Sequence, residues 1–341
     1  MNRELLQDFL TGEGQPSYRL TQAVQAFCVE RRNSWESVTP WPKDLRERAA
    51  EAVPWDLLRL RKTSESTGKD AVKFLFSCAD GALIETVLMR HDDGRNTVCI
   101  SCQVGCPMAC TFCATGTMGL TRNLTADEMF EQVIQVARYL EAKKKHVTNV
   151  VYMGMGEPMH NYDAVMRSVR MLNDHDGFNL GARHISISTC GIVPGILKLA
   201  DEPEQVNLAI SLHAALPDTR SKIMPVNKAY PVDALMRAVR TYVKKTNRRV
   251  MFEYLLLSGI NDSKEDADFL ADLLSENPKL YHVNLIKYHD THVYTASGKD
   301  RRKEFLSWLH GRGISVTIRQ SFGEDVLAAC GQLACNEPDA T

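Results

Sequence analysis

The stretch Cys106-Pro107-Met108-Ala109-Cys110-Thr111-Phe112-Cys113 sets three thiols in a C-x3-C-x2-C pattern. Three thiolates on so tight a loop can hold three irons of a [4Fe–4S] cube and leave the fourth open. An open iron lets a small molecule coordinate the cluster and receive an electron. Structural zinc normally takes four protein ligands, usually as two separated pairs. Zinc, or simply buried thiols, stay open on spacing alone. The position of the stretch, just after the strand-like run Thr97 to Ile100, favours the cluster.

Around this stretch the composition is that of an ordinary globular protein. The 341 residues are 44% hydrophobic and 24% charged, with a formal net charge of -1. Such a balance argues against disorder and gives no global pull toward nucleic acid. No run approaches the roughly eighteen apolar residues of a membrane helix. Met1 to Asp8 carries acid early and has no apolar signal core, so a cytoplasmic location without membrane attachment is expected. The chain has ten cysteines, and Cys99, Cys102, Cys106, Cys110 and Cys113 crowd into one short segment. Without an export signal, this clustering points to metal or redox chemistry rather than a disulfide framework.

The first residues read as a helical module. Leu5 to Leu10, Tyr18 to Arg31 and Leu45 to Leu60 have helical apolar spacing, broken at Pro16, Pro40, Pro42 and Pro54. Val72 to Cys78 and Leu83 to Met89 read as a hairpin across the turn Ala79-Asp80-Gly81. From Thr97 onward short apolar runs alternate with amphipathic ones. Strands are expected at Thr97 to Ile100, Asn149 to Met153, His184 to Ser188, Val206 to Ser211, Val250 to Leu257, His282 to Ile286 and Ile314 to Ile318. Helices fall between them, the first opened by a Thr125/Glu128 capping box. The pattern predicts an α/β fold, a partial (β/α)6 TIM-like barrel with chemistry at the C-terminal ends of its strands. The expected division is a helical module at 1–70, a hairpin linker at 71–95, the barrel core at 96–320 and a C-terminal segment at 321–341.

Phe112 before the last cysteine makes the C-x3-C-x2-C run resemble the signature of the radical S-adenosylmethionine (SAM) superfamily. The resemblance implies that Cys106, Cys110 and Cys113 ligate a [4Fe–4S] cluster. SAM would then bind the open iron and be cleaved reductively to a 5′-deoxyadenosyl radical. Tyr152-Met153-Gly154-Met155-Gly156-Glu157-Pro158 follows the second barrel strand, where glycines let backbone approach a ligand and a carboxylate can accept from an ammonium. It is similar to the superfamily's Gly-Glu-Pro motif, which makes Gly156 and Glu157 SAM contacts. Ile187-Ser188-Thr189-Cys190-Gly191 and Ile210-Ser211-Leu212-His213 bring hydroxyls and an imidazole to two further strand ends. By resemblance Ser188, Ser211, Leu212 and His213 contact SAM. His289 stands where relatives usually carry Asn, and is taken as a further contact.

Ala328-Ala329-Cys330-Gly331-Gln332-Leu333 closely resembles the C-terminal motif of the RlmN/Cfr family of radical SAM RNA methyltransferases, and Cys99 matches that family's second working cysteine. The need for two extra thiols follows from the chemistry. An adenine ring carbon is a poor nucleophile and a thiolate a good one, so one SAM can methylate Cys330 by displacement. The resemblance implies that a second SAM generates a methylene radical there, which adds to the base. Cys99 then resolves the adduct through a transient disulfide with Cys330. Glu85, an acid in an apolar strand, would be the proton acceptor, although alternation alone also explains it. Cys28, Cys78 and Cys335 have no matched role, and Cys102 and Cys190, at places where relatives often carry Ser, are read as structural.

Gly156-Glu157-Pro158 favours an RlmN-type methylation of adenosine carbon 2 in 23S rRNA and some tRNAs. Arg319-Gln320-Ser321-Phe322-Gly323 looks more Cfr-like, which leaves carbon 8 as the alternative. Basic runs at 143–146, 244–249 and 299–303 could touch RNA phosphates without reading sequence. The expected partners are RNA and an electron donor such as flavodoxin, with the protein a monomer. The rival readings are a radical SAM enzyme acting on protein or a small molecule, and a non-catalytic zinc-binding RNA module.

Overall fold

The structure is a computed structural model and describes residues 1–335, so residues 336–341 of the expected C-terminal segment lie outside the described part. Three helices open the chain: α1 (Arg3–Gly12), α2 (Tyr18–Cys28) and α3 (Lys43–Ala52). The Trp35 ring stacks on Trp41 at 5.3 Å and meets Trp55 edge-on at 4.8 Å, filling the space between them. The expected helix over Leu45 to Leu60 stops at Ala52, where Pro54 soon follows and has no N–H to continue it.

The chain re-emerges as β1 (Arg59–Glu65), antiparallel to β2 (Ala71–Ser77), which pairs in turn with β3 (Leu83–Arg90) and so with β4 (Asn96–Cys99). A strand therefore precedes the expected hairpin. It left no alternation to read, because nearly all of its side chains are exposed. After β4 a separate ribbon, β5 (Gln103–Cys106) and β6 (Gly119–Asn123), carries the cysteine loop and the short helix α4 (Ala114–Thr117).

From β4 the main sheet continues in parallel through β7 (Asn149–Tyr152), β8 (Ile185–Thr189), β9 (Asn207–Ser211), β10 (Val250–Leu256), β11 (Tyr281–Lys287) and β12 (Ser315–Ile318). The helices between these strands are α5 (Ala126–Glu141), α6 (Tyr162–Asn173), α7 (Val193–Leu199), α8 (Pro217–Ile223), α9 (Val232–Thr246), α10 (Lys264–Leu274) and α11 (Lys299–Gly311). The capping box forms as the sequence predicts: Thr125 Oγ1 accepts from Glu128 N–H at 3.1 Å, and Glu128 Oε2 accepts from Thr125 N–H at 2.8 Å. Glu131 on α5 accepts from the Leu57 and Leu58 N–H groups at 2.8 and 2.9 Å, tying the helical module to the core. Side chains from β7 through β11 line one cavity, and side chains from β7, β8, β10, β11 and β12 line another, so the sheet curls as a barrel wall does. Among the described residues no helix is long and apolar enough to cross a membrane.

Candidate active site

The ribbon brings the cysteine loop over the C-terminal ends of the strands. At Gly105, with φ +76°, a Cβ would sit 1.9 Å from the Gly119 carbonyl oxygen, so only glycine lets the ribbon close. Cys113 N–H donates to Cys110 O at 3.1 Å, which tightens the loop. Cys106, Cys110 and Cys113 line one cavity, with free space of about 910 Å³ that includes its open mouth. Burial pushes the Cys106 thiol up to about 12. Burial also raises Cys110, reinforced by the neighbouring Cys113 and Cys106. Thiols so placed become thiolates only beside strong positive charge, such as bound iron. Among the described residues, no three His, Cys, Asp or Glu side chains gather tightly enough to hold a single metal ion. Three thiols lining one cavity supply the donor set of a cube with one open iron.

Opposite the loop, the strand ends supply polar groups to the same cavity. Gly156, with φ +102°, is packed so closely that a Cβ would lie 2.6 Å from Gln103 Cβ. Glu157 Oε1 accepts from Met159 N–H at 2.9 Å and Oε2 from Cys190 N–H at 2.8 Å. Burial raises the Glu157 pKa, and these amide bonds oppose that rise. Glu157→Gln must turn its amide NH2 toward one of two backbone N–H groups. It is expected to cost about 1–3 kcal/mol, read as a lower Tm in thermal melting of the metal-free protein.

Ser188 and Ser211 share a hydrogen bond at 3.3 Å between their hydroxyls. His213 adopts φ +58°, and its Nδ1 accepts from Leu255 N–H at 3.1 Å. Burial, aided by the charge of Arg220, pushes its pKa down to about 3. The ring is therefore neutral, with its proton on Nε2. Gly156, Glu157, Ser188, Ser211 and His213 all line the cavity with the three thiols. The fully buried Leu212 side chain does not, and its carbonyl accepts from Arg220 instead.

A second cavity adjoins the first and is lined by Cys99, Cys330, Arg319 and His289. Cys330 lines both cavities. Its segment is clamped to the cysteine loop, with Ala114 N–H donating to Gly331 O at 2.8 Å and Thr115 Oγ1 to Leu333 O at 2.6 Å. Burial, then the nearby Cys330, pushes the Cys99 thiol up to about 12. Burial opposes the charge of Arg319, but Glu253, whose Oε2 lies 3.2 Å from Nη1, and the two thiols keep it firmly protonated. Both thiols are free in the structure.

His289 stands on this thiol side rather than with Ser188 and His213. Its Nε2 is 3.2 Å from Ser321 Oγ. Glu85 is buried but lines neither cavity; it pairs with Lys73 at 2.9 Å and accepts from Ala334 N–H at 3.0 Å. Two arginines, the fully buried Arg220 and the half-buried Arg319, carry charge to this region, and neither is among the residues the sequence singles out as site candidates. Only the Cfr-like run containing Arg319 could have pointed to one of them.

The pattern of the Radical SAM superfamily matches residues 100–274. A Geobacillus thermodenitrificans protein named "Probable dual-specificity RNA methyltransferase RlmN" is 45% identical over 335 residues, 97% of this chain and 91% of that protein. The Bacillus subtilis protein of the same name is 44% identical, again covering 97% and 91%. The crystal structure of a radical SAM methyltransferase from Sphaerobacter thermophilus superposes with a TM-score of 0.94 at 45% identity, over 98% of each chain. The zinc-module reading falls with these matches, and the chain belongs to the RlmN family of radical SAM RNA methyltransferases, which use a [4Fe–4S] cluster and SAM.

Proposed function

We propose that this enzyme methylates carbon 2 of an adenosine in 23S rRNA and in some tRNAs, carrying the methyl group on Cys330. The observation that supports this most is the place of Cys330 at the wall shared by the two cavities. Cys106, Cys110 and Cys113 would hold the cluster, and Gly156, Glu157, Ser188, Ser211 and the Nε2–H of His213 would hold SAM. When bound, this pair supplies the one-electron chemistry that makes the S-methyl carbon of Cys330 reactive toward the base. Cys330 first takes that methyl from SAM by displacement, losing its thiol proton. Once that carbon is bonded to the base and the base has given up its ring proton, Cys99, in the same chamber, attacks the Cys330 sulfur and breaks the sulfur–carbon bond, leaving the carbon on the base as its methyl group, and the disulfide formed needs an external thiol reductant to reopen.

His289 belongs to the chamber that would receive the base. Glu85 anchors the segment carrying Cys330, and could take the base proton only if that segment moved. Residues 1–70 are read as the RNA-binding module. Methylation of carbon 8 is the second reading, favoured by Gln320 and Ser321 in the chamber wall. RNA from a strain lacking its own enzyme, expressed with this chain and digested to nucleosides, should contain 2-methyladenosine by mass spectrometry. 8-Methyladenosine in its place would transfer the assignment to carbon 8, and neither product would overturn both.

A further inference from the structure

Helix α8 delivers Arg220, whose side chain is 0% exposed. Its guanidinium donates from Nε to Leu212 O at 3.1 Å, from Nη1 to Asn227 Oδ1 at 3.0 Å, and from Nη2 to Cys190 O at 2.6 Å and Ser211 O at 3.5 Å. Every one of these acceptors is neutral. Among the described residues no Asp or Glu pairs with it, and the titratable groups that act on its charge are the thiols Cys190 and Cys110, both of which burial holds in the neutral form. A cation withdrawn from water without a counter-charge is costly, and burial lowers its pKa accordingly. Each guanidinium nitrogen has an acceptor, but the charge is not balanced.

The surrounding geometry shows where the balancing charge belongs. The helix that carries Arg220 also grips the cysteine loop: Thr111, between Cys110 and Cys113, donates to Ile223 O from its N–H at 3.0 Å and its hydroxyl at 3.3 Å. Cys190, whose carbonyl takes Arg220 Nη2, lines the cavity together with the three loop thiols. Arg220 itself lines neither cavity described above. It lies behind the ends of β8 and β9, fixed in place and out of reach of solvent.

We propose that Arg220 is the built-in counter-charge of the cluster and holds its reduction potential up. The inference rests on Cys106, Cys110 and Cys113 holding that cluster. Three thiolates make the site anionic, and one electron from an external reductant adds a further negative charge. A fixed cation nearby favours the reduced form. No bond breaks at Arg220 and no proton moves. It is a positioning residue for charge, acting through the cluster.

The test is an EPR-monitored reductive titration of the anaerobically reconstituted full chain with dithionite, alongside iron content. Asn227→Asp puts a carboxylate on Arg220 Nη1 without removing the guanidinium, and Arg220→Gln removes the charge. Both are expected to move the midpoint to more negative potential, while Arg220→Lys stays nearer the parent. If Arg220 were only a strut, Arg220→Gln would lower the melting temperature and Asn227→Asp would leave the midpoint where it was. An unmoved midpoint in Asn227→Asp with full iron overturns the proposal, and decides it even if Arg220→Gln fails to fold. A parent protein that takes up no iron would instead sink the cluster assignment itself.

Discussion

Cys330→Ala is expected to keep its iron and its fold yet yield no detectable methylated RNA. The Cys330 side chain is exposed, and the segment is held by backbone acceptors, Gly331 O and Leu333 O, that alanine leaves untouched. The loss should therefore be chemical. Removing a covalent nucleophile commonly lowers turnover by about a thousandfold or more. An enzyme that used the same cluster on a protein or small molecule would retain turnover in this variant. Mass spectrometry of digested RNA, run beside an iron assay, separates the two outcomes.

Cys99→Ala should fail one step later. Cys330 would still be methylated and joined to the base, but no thiol would be left in the chamber to release it. A covalent protein–RNA adduct is expected to build up to near one per chain, visible as a slow band on denaturing gels and absent from the parent. With its thiol pushed up to about 12 by burial and by Cys330, Cys99 is protonated at neutral pH. Release in the parent enzyme should therefore speed up as pH rises, about tenfold per unit where loss of that proton limits the rate. A Cys99→Ala enzyme that turned over normally would remove Cys99 from the mechanism.

The contrast between Cys330 and Glu85 shows what the sequence could convey. Three cysteines on one short loop can be read together by their spacing, because the loop itself brings them to one cavity. The strand ends of β7, β8 and β9 were legible for a related reason: apolar runs mark buried parallel strands, and polar residues just past them fall at the site. Glu85 carried no such signal. Its partner amide, Ala334 N–H, lies 249 residues away in the chain, and alternation says that a side chain is buried but not what covers it.

Leu212 turns its side chain into the core while its neighbours Ser211 and His213 face the cavity, which leaves only its backbone for a ligand. Exposed β1 and the short α8, which buries only Arg220 and Ile223, left no periodicity to find. Arg220 consequently could not be read as anything but a surface charge.

The most direct test is to supply the anaerobically reconstituted protein with dithionite, SAM and RNA, and to measure 5′-deoxyadenosine. The nucleoside should form in the parent and vanish when Cys106, Cys110 or Cys113 is replaced by alanine. A parent protein holding its full iron and producing none would contradict the assignment of these three thiols to SAM cleavage.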